Sequence, residues 1–256
     1  MRTSAKATRP LKPPPPRSDA RPQGRQLPAL LRASHPRQAA ALAAVVGLLV
    51  GLTGRPAREV ALAAGAVLVA QLIMGLVNDL LDVDLDKASG TDDKPIATGV
   101  LPAGNASFAV AVLLLLVLPL ALQNGTSAGL FLLATLAVGY VHNRWLHRTL
   151  LSWVGWAATF AMLTWFITLG GWGPDANGTA PYTWFVVLSA ALGVCVHFLT
   201  SLPDLVRDNT ARVRHLPLRL ALHTGATKLL VVSAVATLAV VAALVVEMVQ
   251  NQALGQ

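Results

Sequence analysis

Charge is what this chain has least of. Of 256 residues only 12% are Asp, Glu, Lys or Arg, against about a quarter in ordinary soluble domains. Hydrophobic residues make up 54%, and mean hydropathy is +0.58. That balance excludes an ordinary soluble domain. There is one cysteine, Cys195, inside an apolar run. No disulfide can form within one chain, so cysteine usage does not fix the redox compartment. Strand-like alternation of apolar and polar residues is also missing, because the apolar residues come in long runs. Helices satisfy their own backbone groups in lipid, so the expected fold is all-α, a multi-pass transmembrane helical bundle.

Seven apolar segments are present, near 38–54, 59–81, 104–122, 127–143, 150–170, 182–203 and 221–247. Turn chemistry separates them: Gly-Arg-Pro at 54–56, Gln-Asn-Gly at 123–125, Gly-Trp-Gly-Pro at 171–174. Lys228 lies early in the last segment, so its membrane part is expected to begin after that residue. Residues 1–35 differ from the rest, with PLKPPPPR and scattered arginines. They read as a disordered basic cytoplasmic tail, and 36–256 as the transmembrane domain. The charged stretch is too long for a signal peptide, and the apolar run after it is one of several similar spans. If the segments alternate, 18 of the 20 Lys and Arg fall on the side of the tail, and only Arg55 and Arg58 on the other. That bias places the tail in the cytoplasm of a cell-membrane protein. It also explains the net charge of +8 through membrane lipid, so nucleic acid is not needed as a partner.

Acidic residues are few but concentrated. Six aspartates lie between Asp79 and Asp93, at the end of an apolar run. Carboxylates at a membrane boundary are costly and point to function. Asn78, Asp82 and Asp86 are spaced by four, and each step of four drifts only about 40° around a helix. The three therefore share one face, flanked by Asp79. The bland alternative is a solvated helix end with capping carboxylates. Aspartates cap N-termini, however, and these sit at the C-terminal end of a membrane helix, where the dipole opposes them. A hard cation held by Asp82 and Asp86 would offset their repulsion. Asp204 and Asp208 repeat the spacing at the end of another run, with Arg207, Arg212, Arg214 and His215 close by. If that helix continues, Arg212 shares the face of Asp204. Two clusters at matching helix ends suggest one divalent-metal site beside arginines, which suits a diphosphate. Lys94, before Pro95, is a candidate phosphate contact. Arg144, His147 and Arg148 lie on the same side, and Arg144 reads as a topology charge. His197 reads as a helix–helix hydrogen bonder.

Three stretches resemble the UbiA superfamily of intramembrane prenyltransferases. NDLLDVDLDKASGTDDKPIATGVLPAG, from Asn78 to Gly104, resembles its first aspartate-rich motif. HFLTSLPDLVRDNTARVRHLPLRL, from His197, resembles the second, and YVHNRWLHRTLLSW, from Tyr140, the segment between the fourth and fifth helices. The resemblance runs from about residue 36 to 247. It implies Mg2+-dependent transfer of an isoprenoid group from a prenyl diphosphate to a small-molecule acceptor, aromatic or quinone-type. It implies Asp82, Asp86, Asp204 and Asp208 as catalytic and metal-binding residues. Asn78, Lys94 and Arg148 would bind substrate; Arg212 is a candidate substrate contact from its place beside Asp204 and not from the resemblance, and rings such as Trp156, Phe160 and Phe198 are candidates to shield a carbocation. Four features depart from the pattern. Seven segments stand against about nine membrane helices, Arg212 stands for a glycine, Arg207 for an acidic residue, and His147 for a lysine.

Competing readings are a terpene cyclase of the same superfamily, a truncated or non-catalytic membrane scaffold, and a cation transporter. Against transport, both clusters fall at one membrane face, whereas transport sites lie near the midplane.

Overall fold

The computed structural model describes residues 26–89, 93–171 and 178–254. The expected tail up to residue 25, Asp92, and the turn residues after Gly171 lie outside them. Among the described residues there is no strand. The helices are α1 (Gln26–Ala33), α2 (Pro36–Leu52), α3 (Ala57–Leu81), α4 (Val83–Ser89), α5 (Ala103–Leu122) and α6 (Thr126–Arg144). They continue with α7 (Ser152–Leu169), α8 (Thr183–Ser201), α9 (Leu205–Thr210), α10 (Leu216–Thr224) and α11 (Ala226–Leu254).

Every apolar segment read from the sequence is helical. By length and composition five helices can cross a membrane alone: α3, α5, α7, α8 continued through α9, and α11. A sixth crossing is possible if α1 and α2, bent by 54°, count as one. The expected seventh, α6, falls short because Thr126, Ser127 and His142 to Arg144 occupy its ends. Gly225, at φ 90°, separates α10 from α11, so the last segment is split and Lys228 lies in the first turn of α11. The stretch read as tail also ends differently. Residues 26–33 form α1, because Ala29, Leu30 and Ala33 find apolar partners in Leu76, Ile96 and Leu101.

α3 is the hub, packed on α2, α5 and α6, and the series continues α6 on α7, α7 on α8, α8 on α11. Small residues make this possible, since without a hydrophobic drive helices associate by close packing. Ala63, Ala66, Val67 and Ala70 of α3 are fully buried among Val46, Val117, Leu132 and Phe166. At Gly193 a Cβ would lie 2.5 Å from the Trp156 carbonyl, so only glycine lets α8 approach α7 that closely. Leu115 and Leu118 of α5, and Val232, Val235 and Leu238 of α11, face outward, as lipid-facing side chains do.

The bundle has two distinct ends. At one, Arg55 donates to the Ile167 carbonyl and Gly171 N–H to the Asn124 carbonyl. At the other, the second apolar cluster braces the turn after α4. Ile96 and Leu101 plug it, Leu101 N–H bonds the Pro95 carbonyl at 2.9 Å, and Gly99 takes φ 73°. That turn fixes Lys94.

Candidate active site

Both acidic clusters lie at the second end and meet there. α3 carries Asn78 and Asp79 and stops at Leu81, with Asp82 as its C-cap, its N–H on the Asn78 carbonyl at 3.0 Å. α4 begins at the next residue, and Asp86 N–H bonds the Asp82 carbonyl at 2.8 Å. The four-residue rhythm therefore survives a break at Asp82. The break corrects the dipole argument. Asp84 and Asp86 stand in the first turn of a new helix, where the partial positive charge favours carboxylates.

Asp79, Asp82 and Asp86 of the first cluster each meet a cation from elsewhere in the chain. Asp79, 2% exposed, accepts from Lys94 Nζ at 2.6 Å and from His35 Nε2 at 3.0 Å. Asp82 accepts from Arg148 Nη2 at 2.9 Å. Arg148 Nε also donates to His147 Nε2 at 2.9 Å, while His147 Nδ1 donates to the His142 carbonyl at 3.2 Å. His147 is thus a neutral imidazole. Burial holds its pKa below the ordinary value, outweighing the nearby Asp82 carboxylate.

The second cluster comes after α8. Leu202 to Asp204 make one 3-10 turn with Pro203 at its start, and α9 then carries Arg207 and Asp208. His215 caps α10: its Nδ1 accepts from Leu218 N–H at 3.1 Å, so Nε2 carries the proton and donates to Asp208 Oδ2 at 2.9 Å. Arg207 joins the clusters. Its guanidinium lies 3.4 Å from Asp204, 3.6 Å from Asp208 and 3.9 Å from Asp86. Burial pushes the Asp86 carboxyl above the usual range; Lys94 and Arg207 work against that, and Asp82 adds to it.

Beyond the carboxylates lies an aromatic wall. His197 Nε2 and Ser152 Oγ are 2.9 Å apart, the interhelical hydrogen bond expected of that histidine. Trp156 stacks on His197 with centroids 5.8 Å apart and contacts Phe160, and Phe198 meets His197 edge-on.

The structure brings together Asp82, Asp86, Asp204, Asp208, Lys94 and Arg148. It does not bring Arg212 onto the face of Asp204, because α9 stops at Thr210. Arg212 is exposed and adopts φ 58°, the left-handed conformation glycine takes without strain, which accounts for glycine being the residue expected there. Arg144 lies over the Trp145 ring. Sequence reasoning placed Arg207 only as one of several arginines beside the second cluster, and gave His35 no role and Asp79 no partner. A signal existed for Arg207, three residues after Asp204 on a helix. None existed for His35, which is 44 residues from its partner.

Among the described residues no three acidic or histidine side chains already stand at metal-ligand spacing. The donor chemistry nevertheless fits Mg2+. Four carboxylates and the Asn78 amide are hard oxygen donors, and a positive charge already sits among three of the carboxylates, at Arg207.

A model of the UbiA prenyltransferase family matches residues 40–254. No curated protein sequence matches the chain. Two solved structures of a UbiA homolog from Archaeoglobus fulgidus share the fold. The one bound to DMAPP and Mg2+ has TM-score 0.65 at 16% identity, covering 84% of this chain and 77% of that one. The one bound to GPP and Mg2+ has TM-score 0.65 at 15% identity, over 83% and 77%. A digeranylgeranylglyceryl phosphate synthase is also similar, with TM-score 0.59 at 18% identity over 82% of this chain and 76% of that one.

Proposed function

The chain belongs to the UbiA prenyltransferase family, and from that membership we propose that it moves an isoprenoid group from a prenyl diphosphate to an aromatic or quinone-type acceptor within the membrane. The observation that supports this most is the meeting of Asp86, Asp204 and Asp208 around one guanidinium. Carboxylates about 120 residues apart in the chain have no reason to converge at a membrane boundary except to hold positive charge there.

Asp82, Asp86, Asp204 and Asp208, with Asn78, would hold Mg2+. When bound, Mg2+ neutralises the diphosphate oxygens and stabilises the charge that grows as the C–O bond breaks. The chain adds its own cations. Arg148 projects from the loop after α6 and is only half withdrawn from solvent. Its planar fork suits a diphosphate, and Lys94 adds a point charge from the braced turn. Both act where negative charge develops, so they favour the transition state over the bound substrate. The bond's electron pair leaves with the diphosphate. The acceptor's electron pair then makes the new carbon–carbon bond, and loss of a proton from the acceptor restores neutrality. Between those events an allylic cation needs a dry wall, and Trp156 and Phe160 offer ring faces worth on the order of 1 kcal/mol or more each. The lysine and arginine bias supports a cytoplasmic mouth.

The test is diphosphate release by the purified full chain in detergent, with Mg2+ and labelled prenyl diphosphates of several lengths. Release is expected with at least one length and is expected to fall on the order of 100-fold or more in Asp82→Ala. If no length yields release, the transferase reading goes. Cation flux through the protein in liposomes would point to transport instead.

A further inference from the structure

Arg207 is held unlike the other cations of the site. Lys94 and Arg148 each make a short charge-assisted hydrogen bond, at 2.6 and 2.9 Å. Arg207 stands 3.4 to 3.9 Å from three carboxylates and grips none of them in the parallel two-bond fashion, at about 2.7–2.9 Å, that arginine favours. Its Nε is buried and makes no hydrogen bond at all. The side chain belongs to the second cluster, yet it reaches Asp86 in the first. It is the one cation that touches carboxylates of both clusters among the described ion pairs.

We propose that Arg207 is a resident cation, a positioning residue that keeps the two aspartate clusters assembled before metal arrives and yields its carboxylates only when a diphosphate is present. This inference rests on the prenyl-diphosphate reading above. The guanidinium is loosely held, and a diphosphate offers it the two parallel oxygens it lacks. Its departure toward that anion uncovers Asp86, Asp204 and Asp208 together. A divalent ion on its own must instead compete with a positive charge already in place. Metal and diphosphate therefore raise each other's affinity, by the same factor in either order. The free protein avoids holding a bare metal, and the metal site completes itself around substrate.

The experiment tracks binding, not turnover. Mn2+ binding to the full chain in detergent is measured by electron paramagnetic resonance, with and without geranyl thiodiphosphate, which cannot ionise readily. In the wild type, Mn2+ alone is expected to bind weakly, and the analogue to strengthen it by about tenfold or more. Arg207→Gln is expected to bind Mn2+ alone more tightly than the wild type, which shrinks the enhancement several-fold. Arg207→Lys keeps the charge and is expected to keep most of the enhancement, which a merely structural role would not separate from glutamine. Arg207→Met serves in place of Arg207→Gln if the latter does not fold. Equal Mn2+ affinity with and without the analogue in the wild type overturns the proposal, as does an enhancement unchanged in the uncharged variants. Failure of Mn2+ and analogue to bind even together is a different result: it removes the diphosphate reading itself and this inference with it.

Discussion

Asp79 and Asp208 are both nearly closed off from solvent, at 2% and 9% exposure, yet their partners come from different distances. Asp79 is held by His35 and Lys94, 44 and 15 residues away in sequence, so the bend into α2, α3 and the turn after α4 must all be in place before its charge is balanced. Asp208 is held by Arg207 beside it and by His215 seven residues on, within α9 and the start of α10. The first cluster is a product of tertiary structure. The second is a local unit that docks against it. The two clusters thereby differ in how they are held: Asp79 is tied to the fold by short hydrogen bonds, while Asp86, Asp204 and Asp208 share one loosely held cation and, in the proposed function, would hold the metal.

The sharpest way to break this contrast is at Asp79. Asp79→Asn leaves Lys94 and His35 facing a neutral group in a buried place and is expected to cost on the order of 3 kcal/mol of unfolding free energy. Asp208→Asn keeps a hydrogen bond to His215 and is expected to cost about 1 kcal/mol. Thermal unfolding in detergent compares them, and an equal or reversed loss would end the contrast. A smaller effect separates Asp86 from an ordinary surface aspartate. Its carboxyl sits above the usual range because it is buried, so protons compete with a divalent ion at higher pH than usual. Mn2+ affinity is expected to fall on acidification, by up to about tenfold per pH unit once below that raised pKa. In Asp86→Asn the fall is expected to begin at lower pH. The smallest effect concerns the end of the local unit. Arg212→Gly relieves the positive φ and is expected to stabilise the protein by ~0.5 kcal/mol. It is also expected to weaken pyrophosphate binding if this exposed arginine meets the substrate, which calorimetry with inorganic pyrophosphate reads directly.

Hydrophobic runs carried most of the fold, because a lipid-crossing helix must be apolar along its whole length. All seven runs became helices. What the runs hide is continuity. The break at Asp82 keeps its i to i+4 hydrogen bonds, so a helix-face argument placed Asn78, Asp82 and Asp86 together while missing that α4 starts afresh. The shortfall at α6 has the same origin, since polar residues at its ends lower its hydropathy without ending the helix. In the site, residue types and spacing marked Asp82, Asp86, Asp204 and Asp208, because like charges four apart on a helix demand a partner. They could not supply that partner's identity. His35 reaches Asp79 across three elements, and no local pattern encodes a crossing of helices. Arg207 stood one residue from Asp208 and looked like a departure from the pattern; only the convergence of the two clusters gives it a purpose.

His35 has a further consequence. Its backbone takes φ 51° where α1 turns into α2, while its ring rests on Asp79. Ser34 packs its carbonyl directly on Gly75, and Gln26 is hydrogen-bonded to Asn105. The amino-terminal approach to the first crossing is therefore laced to the doorway of the aspartates. A protease nick between Ala33 and Pro36 would loosen the threshold itself, and any module fused ahead of Gln26 would hang beside the entrance and not behind it.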